Sequence, residues 1–96
     1  GIMTFDLLQN LSLPQVWIRC NGKKIENFSR GVASIRVNKG DFLTIDSTLY
    51  DRPLWFEITA LSPVIKNFEV GQQFRTSGTM LNIGVVNVEA TTDNKL

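Results

Sequence analysis

The strongest constraint on the fold of this chain is a period-two alternation of apolar and polar residues between short turn sequences. Residues 15–20, QVWIRC, carry Val16, Ile18 and Cys20 on one side and Trp17 and Arg19 on the other. Because successive side chains of a β-strand point to opposite faces, this order predicts a strand with one buried face. The Asn-Gly pair at residues 21–22 follows, and both residues tolerate the positive φ of a type I′ turn. A hairpin to KKIENF (residues 23–28) is therefore predicted.

Four later segments repeat the alternation: VASIRV (32–37), FLTIDSTL (42–49), LWFEITAL (54–61) and TMLNIGVVNVEA (79–90). The inward parity of the last segment changes near Gly84, which predicts a β-bulge there. With two weaker segments, the pattern gives about seven short strands, a number and spacing typical of all-β folds. We therefore predict an antiparallel β-sandwich, immunoglobulin-like in the loose sense, with an OB-like barrel as the alternative.

The N-terminal segment is the one helical candidate. Its apolar residues recur at i, i+3 and i+4 spacing between residues 3 and 13, and Pro14 ends the pattern. The spacing predicts a short N-terminal helix or arm over residues 1–14. A single β-sandwich domain over residues 15–90 follows, and the polar residues 91–96 are predicted to form a frayed tail.

Composition limits the class of protein further. A length of 96 residues supports one domain. The hydrophobic fraction of 43% and the charged fraction of 20% are those of an ordinary globular protein. Ten basic and nine acidic residues leave a formal charge of +1, which by itself indicates neither nucleic acid nor an anionic membrane as a partner.

Histidine is absent and Cys20 is the only cysteine. No intramolecular disulfide can form, and the usual ligand sets of zinc, copper and haem sites are missing. Catalysis by a Ser–His or Cys–His pair is excluded as well. Asp41, Asp46, Asp51 and Glu57 match no calcium-binding loop, so we predict that these carboxylates are solvated on the surface. We expect no cofactor, no metal and no enzymatic activity.

Residues 35–45, IRVNKGDFLTI, have the form I-x-V-x-x-G-D-x-L-x-I. This phrase resembles the strand–turn–strand segment of many bacterial β-sandwich domains, among them immunoglobulin-like surface modules and cupredoxin-like domains. The resemblance implies a sandwich without the signature of either subfamily. A cupredoxin needs histidine in its copper site, and an antibody-type domain needs two bridged cysteines around a core tryptophan.

The turn at residues 38–41 of this phrase raises two functional alternatives. A phosphate-binding loop needs several glycines followed by a helix, whereas here one glycine leads into a strand. The tripeptide Lys39-Gly40-Asp41 can also imitate an adhesive ligand, although such tripeptides recur by chance. We predict that the segment is a tight hairpin turn that depends on Gly40.

Trp17, Arg19, Lys23 and Lys24 carry the strongest binding signal in the sequence. Trp17 and Arg19 share one face of a strand, and the two lysines follow across the hairpin. An exposed aromatic ring among cations can stack on a base or a sugar. The structural alternative places Trp17 in the core or beneath a covering arm, with Arg19 extending past it to water. Trp55 poses the same choice; if both tryptophans are exposed together, they form a platform for a carbohydrate or a protein.

These observations favour a non-catalytic binding or structural module of the cell envelope, the cell surface or an appendage, outside the cytoplasm. The expected partner is another protein, and self-association through an edge strand stays open. The alternative is an OB-like domain for single-stranded nucleic acid or an oligosaccharide, although nucleic acid is not the expected partner. Contact with a membrane would require a segment before Gly1. A small hydrolase or lyase would need a deep pocket lined by carboxylates with a lysine or tyrosine.

Overall fold

The computed structural model describes residues 1–9 and 12–88, and in that part of the chain it contains eight antiparallel strands and no helix. The strands are β1 (Ile2–Leu7), β2 (Leu13–Cys20), β3 (Lys23–Phe28), β4 (Val32–Arg36), β5 (Phe42–Asp46), β6 (Pro53–Leu61), β7 (Gln73–Ser77) and β8 (Met80–Val85).

The strands form two four-stranded sheets. The first sheet has the order β4-β1-β6-β7 and the second has the order β3-β2-β5-β8. A cluster of buried apolar residues from both sheets fills the space between them, and the rings of Phe28 and Phe56 meet there with centroids 5.0 Å apart. The predicted antiparallel β-sandwich is confirmed. The OB-like barrel is not formed, because the strands divide into two separate sheets.

The alternation in the sequence determines which side chains enter the core. At the centre of β2 and in β5, alternate residues are fully buried, namely Val16, Ile18, Leu43 and Ile45. Burying a side chain of this size contributes about 1.5–3 kcal/mol relative to leaving it in water. Packing of these apolar faces is therefore the main force that holds the two sheets together.

The short helix predicted within residues 1–14 is wrong. Ile2–Leu7 form β1, an interior strand of the first sheet that pairs with β4 on one side and β6 on the other. Met3, Phe5 and Leu7 point into the core and are buried. A short apolar segment can satisfy both a period of 3.6 and a period of 2. The segment forms a strand because β4 and β6, which are distant in the chain, supply backbone hydrogen bonds on both of its sides.

Two local predictions are confirmed. The hairpin between β2 and β3 turns at Asn21 and Gly22, whose φ angles are 54° and 86°, as a type I′ turn requires. The register between β5 and β8 shifts where Leu43 pairs with Gly84 and Thr44 pairs with Asn82, which leaves Ile83 as the extra residue of a bulge. Gly84 has a φ of 137° beside this bulge.

The turn at residues 38–41 is not the predicted hairpin. It connects β4 of the first sheet to β5 of the second, so it is a corner between the sheets. The corner is tight all the same: Gly40 has a φ of 89°, and the Asp41 backbone N–H donates to the Asn38 carbonyl at 3.1 Å. Local sequence predicted the bend, but the identity of the paired strands depends on contacts that are distant in the chain.

The two halves of the chain, β1–β4 and β5–β8, are arranged alike. When each strand of one half is replaced by the corresponding strand of the other (β1 by β5, β2 by β6 and so on), the order β4-β1-β6-β7 becomes β8-β5-β2-β3. This is the order of the second sheet read in reverse. The register agrees: Phe5 lies opposite Ile58 in the first sheet, and Ile45 lies opposite Ile18 in the second. The same shift of 40 positions relates 5 to 45 and 18 to 58. The topology therefore has approximate two-fold symmetry.

This strand order differs from that of an immunoglobulin constant domain. There the first two strands belong to one sheet, whereas β1 and β2 lie in different sheets here. Of the two weaker sequence segments, residues 73–78 contain β7, and residues 64–70 form a loop with one isolated bridge from Ile65 to Val88. The predicted tail at residues 91–96 and the last two residues of the predicted 15–90 domain lie outside the described residues.

Candidate functional site

The two tryptophans lie on opposite sides of the sandwich. Trp17 is on the outer face of the second sheet, because its neighbours Val16 and Ile18 point into the core. Trp55 is on the outer face of the first sheet, between the buried Leu54 and Phe56. The two rings therefore do not form one shared platform, and each outer face has to be considered separately.

The outer face of the second sheet brings together three of the sequence-predicted residues: Trp17, Arg19 and Lys24. Strand pairing arranges this face in rows. One row contains Trp17, Asp46 and Met80, the next contains Lys24, Arg19, Thr44 and Asn82, and the last contains Phe42 and Val85. Lys23 lies at the hairpin end of the same sheet, opposite Cys20. The hairpin and the β2–β5 pairing together create this grouping.

Arg19 and Asp46 form an ion pair across β2 and β5, with 3.0 Å between Nε and Oδ2. The Thr48 hydroxyl donates to the other Asp46 oxygen at 2.7 Å, and the Thr48 backbone N–H donates to the same oxygen at 3.2 Å. Burial alone would raise the pKa of Asp46, but the bonds from Thr48 and the ion pair with Arg19 outweigh it and lower the pKa. The prediction that Asp46 is solvated is wrong: it is only 8% exposed.

Lys24 covers part of Trp17. Its Nζ lies 5.4 Å from the centroid of the indole ring, within the range of a cation–π contact. Trp17 is consequently only partly exposed. The sequence left two alternatives, an exposed ring free for stacking and a ring in the core or beneath a covering arm. Neither describes Trp17 fully, because its ring lies outside the core and a cation covers part of its face.

An apolar strip runs along the β5–β8 margin of the same face. It consists of Phe42 and Val85, which are 39% and 52% exposed and are direct cross-strand partners. Met80, which is 46% exposed, lies on the same margin but is separated from them by the row of Thr44 and Asn82. The sequence alone did not predict this strip. The signal was present in part, because Phe42 alternates with the inward Leu43, but the partner strand that places Val85 beside it could not be read from local sequence.

Three polar pairs occupy part of the outer face of the first sheet. The Thr4 and Ser34 hydroxyls are 2.7 Å apart, the Thr59 hydroxyl donates to Asp6 at 3.1 Å, and the Gln73 amide donates to Glu57 at 3.0 Å. Glu57 is therefore half-buried beside a donor and not a freely solvated group.

Trp55 lies on this face of the first sheet and, like Trp17, has a cationic side chain over its ring. The Arg75 guanidinium carbon is 5.9 Å from the centroid of the Trp55 ring. Leu8 lies next to it, and its backbone N–H donates to the Trp55 carbonyl at 2.9 Å. Leu8 and Trp55 are neighbouring exposed apolar residues on this side of the sandwich, and Ile2 of β1 is exposed as well.

The corner at residues 38–41 is bonded to the β2–β3 hairpin turn. Asn38 N–H donates to Asp41 Oδ2 at 2.8 Å, and the Asn21 amide donates to Asp41 Oδ1 at 3.1 Å. The first of these bonds is the main cause that lowers the pKa of Asp41. Burial, and then the nearby Asp41 carboxylate, raise the pKa of the Cys20 thiol. Both oxygens of Asp41 are thus engaged inside the corner, and this argues against an adhesive role for Lys39-Gly40-Asp41.

Two shallow polar depressions lie away from these faces. One, of about 520 Å³, is at the β3–β4 corner, where its ionisable lining residues are Asp6 and Arg30. The other, of about 540 Å³, lies in the loop that contains Asn67, Glu69 and Gln72. Neither lining set combines a carboxylate with a lysine or a tyrosine, the combination that a hydrolase or lyase of this composition would need.

Within residues 1–9 and 12–88, no three Cys, Asp or Glu side chains come together as metal ligands would. The described part of the chain likewise has no helix with the length and apolarity to cross a membrane. Comparison with protein-family models, curated protein sequences and solved structures gives no match to this chain. The outer face of the second sheet, with its apolar strip and its cations, is the best candidate for a functional site.

Proposed function

We propose that this chain is a non-catalytic binding module, and that the outer face of its second sheet docks another protein. The apolar strip of Phe42 and Val85, with the exposed Met80 further along the same margin, is the observation that carries the proposal. Apolar side chains grouped on one face, with charged groups around them, are typical of surfaces that bind a partner. The first sheet exposes Ile2, Leu8 and Trp55 as well. There, however, the Arg75 guanidinium lies over the Trp55 ring, and the hydrogen-bonded Thr4 and Asp6 separate Ile2 from Leu8.

The Arg19–Asp46 pair suits a docking surface better than a reactive site. Its charges neutralise one another, and hydrogen bonds from Thr48 and to the Gly22 carbonyl hold both side chains in place. A rigid surface loses little side-chain entropy when a partner binds. The pair therefore gives the face a fixed shape beside the apolar strip.

We place the module outside the cytoplasm, in the cell envelope, on the cell surface or in an appendage. The support is the resemblance of residues 35–45 to the strand–turn–strand phrase of surface β-sandwich modules, together with the sandwich architecture shared with immunoglobulin-like domains. This support is an analogy at the level of fold, which does not by itself determine function. Fractionation of the source cells, with detection of the protein by antibody, tests the location.

A second candidate is binding of single-stranded nucleic acid or an oligosaccharide. The grouping of Trp17, Arg19 and Lys24 on one face favours it. The cover of Lys24 over Trp17 and the engagement of Arg19 by Asp46 weigh against it, because stacking needs an open ring and phosphate binding needs a free cation. Titration of tryptophan fluorescence with oligo(dT) at rising salt tests this candidate: affinity that falls steeply with salt would support it.

The docking proposal is tested by removing the apolar strip. A Phe42→Ser/Val85→Ser variant is compared with a Leu8→Ser/Trp55→Ser variant, which removes two exposed apolar groups from the first sheet. Each protein is immobilised and exposed to extract from the source cells, and the partner that binds the unaltered chain is identified and titrated by calorimetry. We expect the second-sheet variant to weaken binding by about tenfold or more and the control to leave it unchanged.

Thermal unfolding of both variants shows that each is folded before it is compared. Equal weakening by both variants, or weakening by the first-sheet control alone, would overturn the proposal. So would a partner whose affinity neither variant changes.

A further inference from the structure

We infer that the partner segment is acidic: an extended peptide of a second protein in which an apolar stretch is followed by acidic residues. This inference rests on the proposed docking function and adds the chemistry of the partner. It concerns the end of the second sheet where the β2–β3 hairpin turn and the corner at residues 38–41 meet. The surface there consists of Lys23, Lys24 and Lys39, called here the lysine rim, and the adjoining Phe42 and Val85.

Hydrogen bonds bring the three lysines to one end of the sheet. Lys23 and Lys24 follow the hairpin turn directly, and Lys39 lies in the corner. The side chain of Asn21 joins the two segments, because its amide donates to Asp41 at 3.1 Å and its oxygen accepts from the Phe42 N–H at 2.9 Å. The Asn21 N–H also donates to the Phe42 carbonyl at 2.8 Å. The lysine rim is thus a consequence of the packed structure and not of one run of basic residues.

The positive charge of the rim is only partly offset within the described chain. Asp46 is already paired with Arg19, whereas Asp41, which accepts hydrogen bonds from the neutral Asn38 N–H and Asn21 amide, keeps one negative charge in the corner beside Lys39. Among the described residues, none of the three rim ammonium groups lies in an ion pair with a carboxylate. Within residues 1–9 and 12–88, the Lys24 ammonium group contacts the Trp17 ring. With three lysines and one carboxylate, the rim keeps a net positive charge that carboxylates of a partner can approach.

The apolar groups beside the rim determine the pattern of the partner. Phe42 directly follows the corner, and Val85 is its cross-strand partner on β8. An extended peptide places successive side chains on opposite sides, about 3.3 Å apart along the strand. Residues i, i+2 and i+4 of an extended segment share one side, so a segment with an apolar stretch followed by an acidic stretch can direct apolar groups to Phe42 and Val85 and, further along the same side, carboxylates to the lysines. Opposite charges on the two surfaces also speed association and reject basic partners.

A protein segment fits this surface better than nucleic acid or a membrane. Base stacking needs an open aromatic face, and Lys24 lies over Trp17. An anionic bilayer would attract the lysines, yet Phe42 and Val85 are strand residues, each about half covered by neighbours, and so do not project into the acyl region. Binding of nucleic acid and binding of an anionic membrane are both measured in the test below.

The test titrates the 96-residue chain, labelled with ¹⁵N, with a capped synthetic peptide in which a stretch of valines is followed by a stretch of glutamates. We expect amide shifts confined to residues 21–24, 38–43 and 84–86. The variant Lys23→Glu/Lys24→Glu/Lys39→Glu should weaken the peptide by about tenfold or more. The matched variant Arg30→Glu/Arg52→Glu/Arg75→Glu changes the net charge equally at other places and should bind the peptide with nearly the affinity of the unaltered chain. A peptide of glutamine and valine should bind less tightly than the acidic one.

The outcomes separate this inference from the proposed function. If the lysine variant binds the acidic peptide normally while Phe42→Ser/Val85→Ser does not, the acidic partner is refuted and docking on the apolar strip stands. If neither variant changes binding of the peptide, or if the amide shifts map to the first sheet, the acidic partner and the proposed docking function are both refuted. Tighter binding of oligo(dT), or of phosphatidylserine vesicles, than of the acidic peptide at the same salt would also overturn the inference.

Discussion

Arg19 and Asp46 form an ion pair on the outer face of the second sheet, 3.0 Å apart, and Thr59 and Asp6 form its counterpart on the first sheet, 3.1 Å apart. The shift of 40 positions that relates the two halves takes Asp6 to Asp46 and Arg19 to Thr59. One aspartate therefore has a cation as its partner, and its symmetry counterpart has a hydroxyl. This difference is one reason why the two outer faces differ in charge and allows direct tests by substitution.

Arg19→Met should destabilise the protein by about 1–2 kcal/mol, because the largely buried Asp46 loses its cation and keeps only the bonds from Thr48. Urea unfolding followed by tryptophan fluorescence measures the change. Lys24→Met is the control, since it removes a cation from the same face without stranding a carboxylate. A loss as large for the control as for Arg19→Met would contradict this account.

Thr59→Arg should create a second ion pair, with Asp6, by copying the arrangement of the other half. The expected gain is about 0.2–1 kcal/mol, because Thr59 is exposed and solvent weakens the attraction. The gain should diminish when salt is added, which screens exposed charges. Thr59→Met serves as the control for packing of the longer side chain. A gain that is equal for both variants, or insensitive to salt, would rule out the ion pair.

Stability should fall in acid through Asp41 and Asp46. The pKa of each is lowered in the folded protein from an ordinary value of 3.8, so folding favours the ionised form. Their contribution is complete above the unfolded pKa and is lost as the pH falls through the lower folded pKa. The free energy of unfolding should therefore decrease below about pH 5, and less steeply in Asp41→Asn/Asp46→Asn. Glu69→Gln, in an exposed loop, should retain the slope of the unaltered protein; equal slopes for all three proteins would refute the assignment.

Thr76→Val should stabilise the protein by about 1 kcal/mol. Thr76 on β7 is only 2% exposed, and its hydroxyl has no hydrogen-bond partner among the described residues. An unsatisfied buried hydroxyl costs about 1–3 kcal/mol, and valine has nearly the same shape without it. Calorimetric unfolding measures the gain. Thr76→Ser keeps the hydroxyl and removes a methyl group, so it should destabilise; a destabilised Thr76→Val would show that the hydroxyl has a partner in solution.

Gly40→Val should destabilise by about 1–3 kcal/mol through the backbone alone. Gly40 has a φ of 89°, which β-branched residues rarely adopt, and apart from Gly40 and its two chain neighbours no described atom lies within 4 Å of an added Cβ. Gly40→Asn should cost less, because asparagine tolerates positive φ. Denaturant midpoints of the two variants give the comparison. If valine and asparagine cost the same, the corner does not depend on the backbone freedom of glycine.

Short-range patterns in the sequence predicted much of the fold. Alternation identified the inward residues of β2 and β5, the Asn-Gly pair predicted the type I′ hairpin, and the change of parity predicted the bulge beside Gly84. Each of these features depends on residues that are neighbours in the chain, so a local pattern carries the information.

The prediction failed where pairing partners are distant. The first residues match a helical period as well as a strand, and only pairing with β4 and β6 makes Ile2–Leu7 an interior strand. The carboxylate of Asp46 faces outward as its parity predicts, yet Arg19 covers it. Part of the candidate site was visible as Trp17, Arg19, Lys23 and Lys24, whereas Val85 joins it only through the pairing of β8 with β5.

The sequence by itself determined that the chain is all-β over most of its length, where it turns, and which side chains are apolar enough to require burial. Only the tertiary structure decided which strands share a sheet. It changed the turn at residues 38–41 from a hairpin into a corner, separated Trp17 from Trp55, and gathered Lys39 with Lys23 and Lys24. The physical reason is that backbone pairing is not specific to sequence. The choice of partner strand follows from how all the apolar faces can be buried at once.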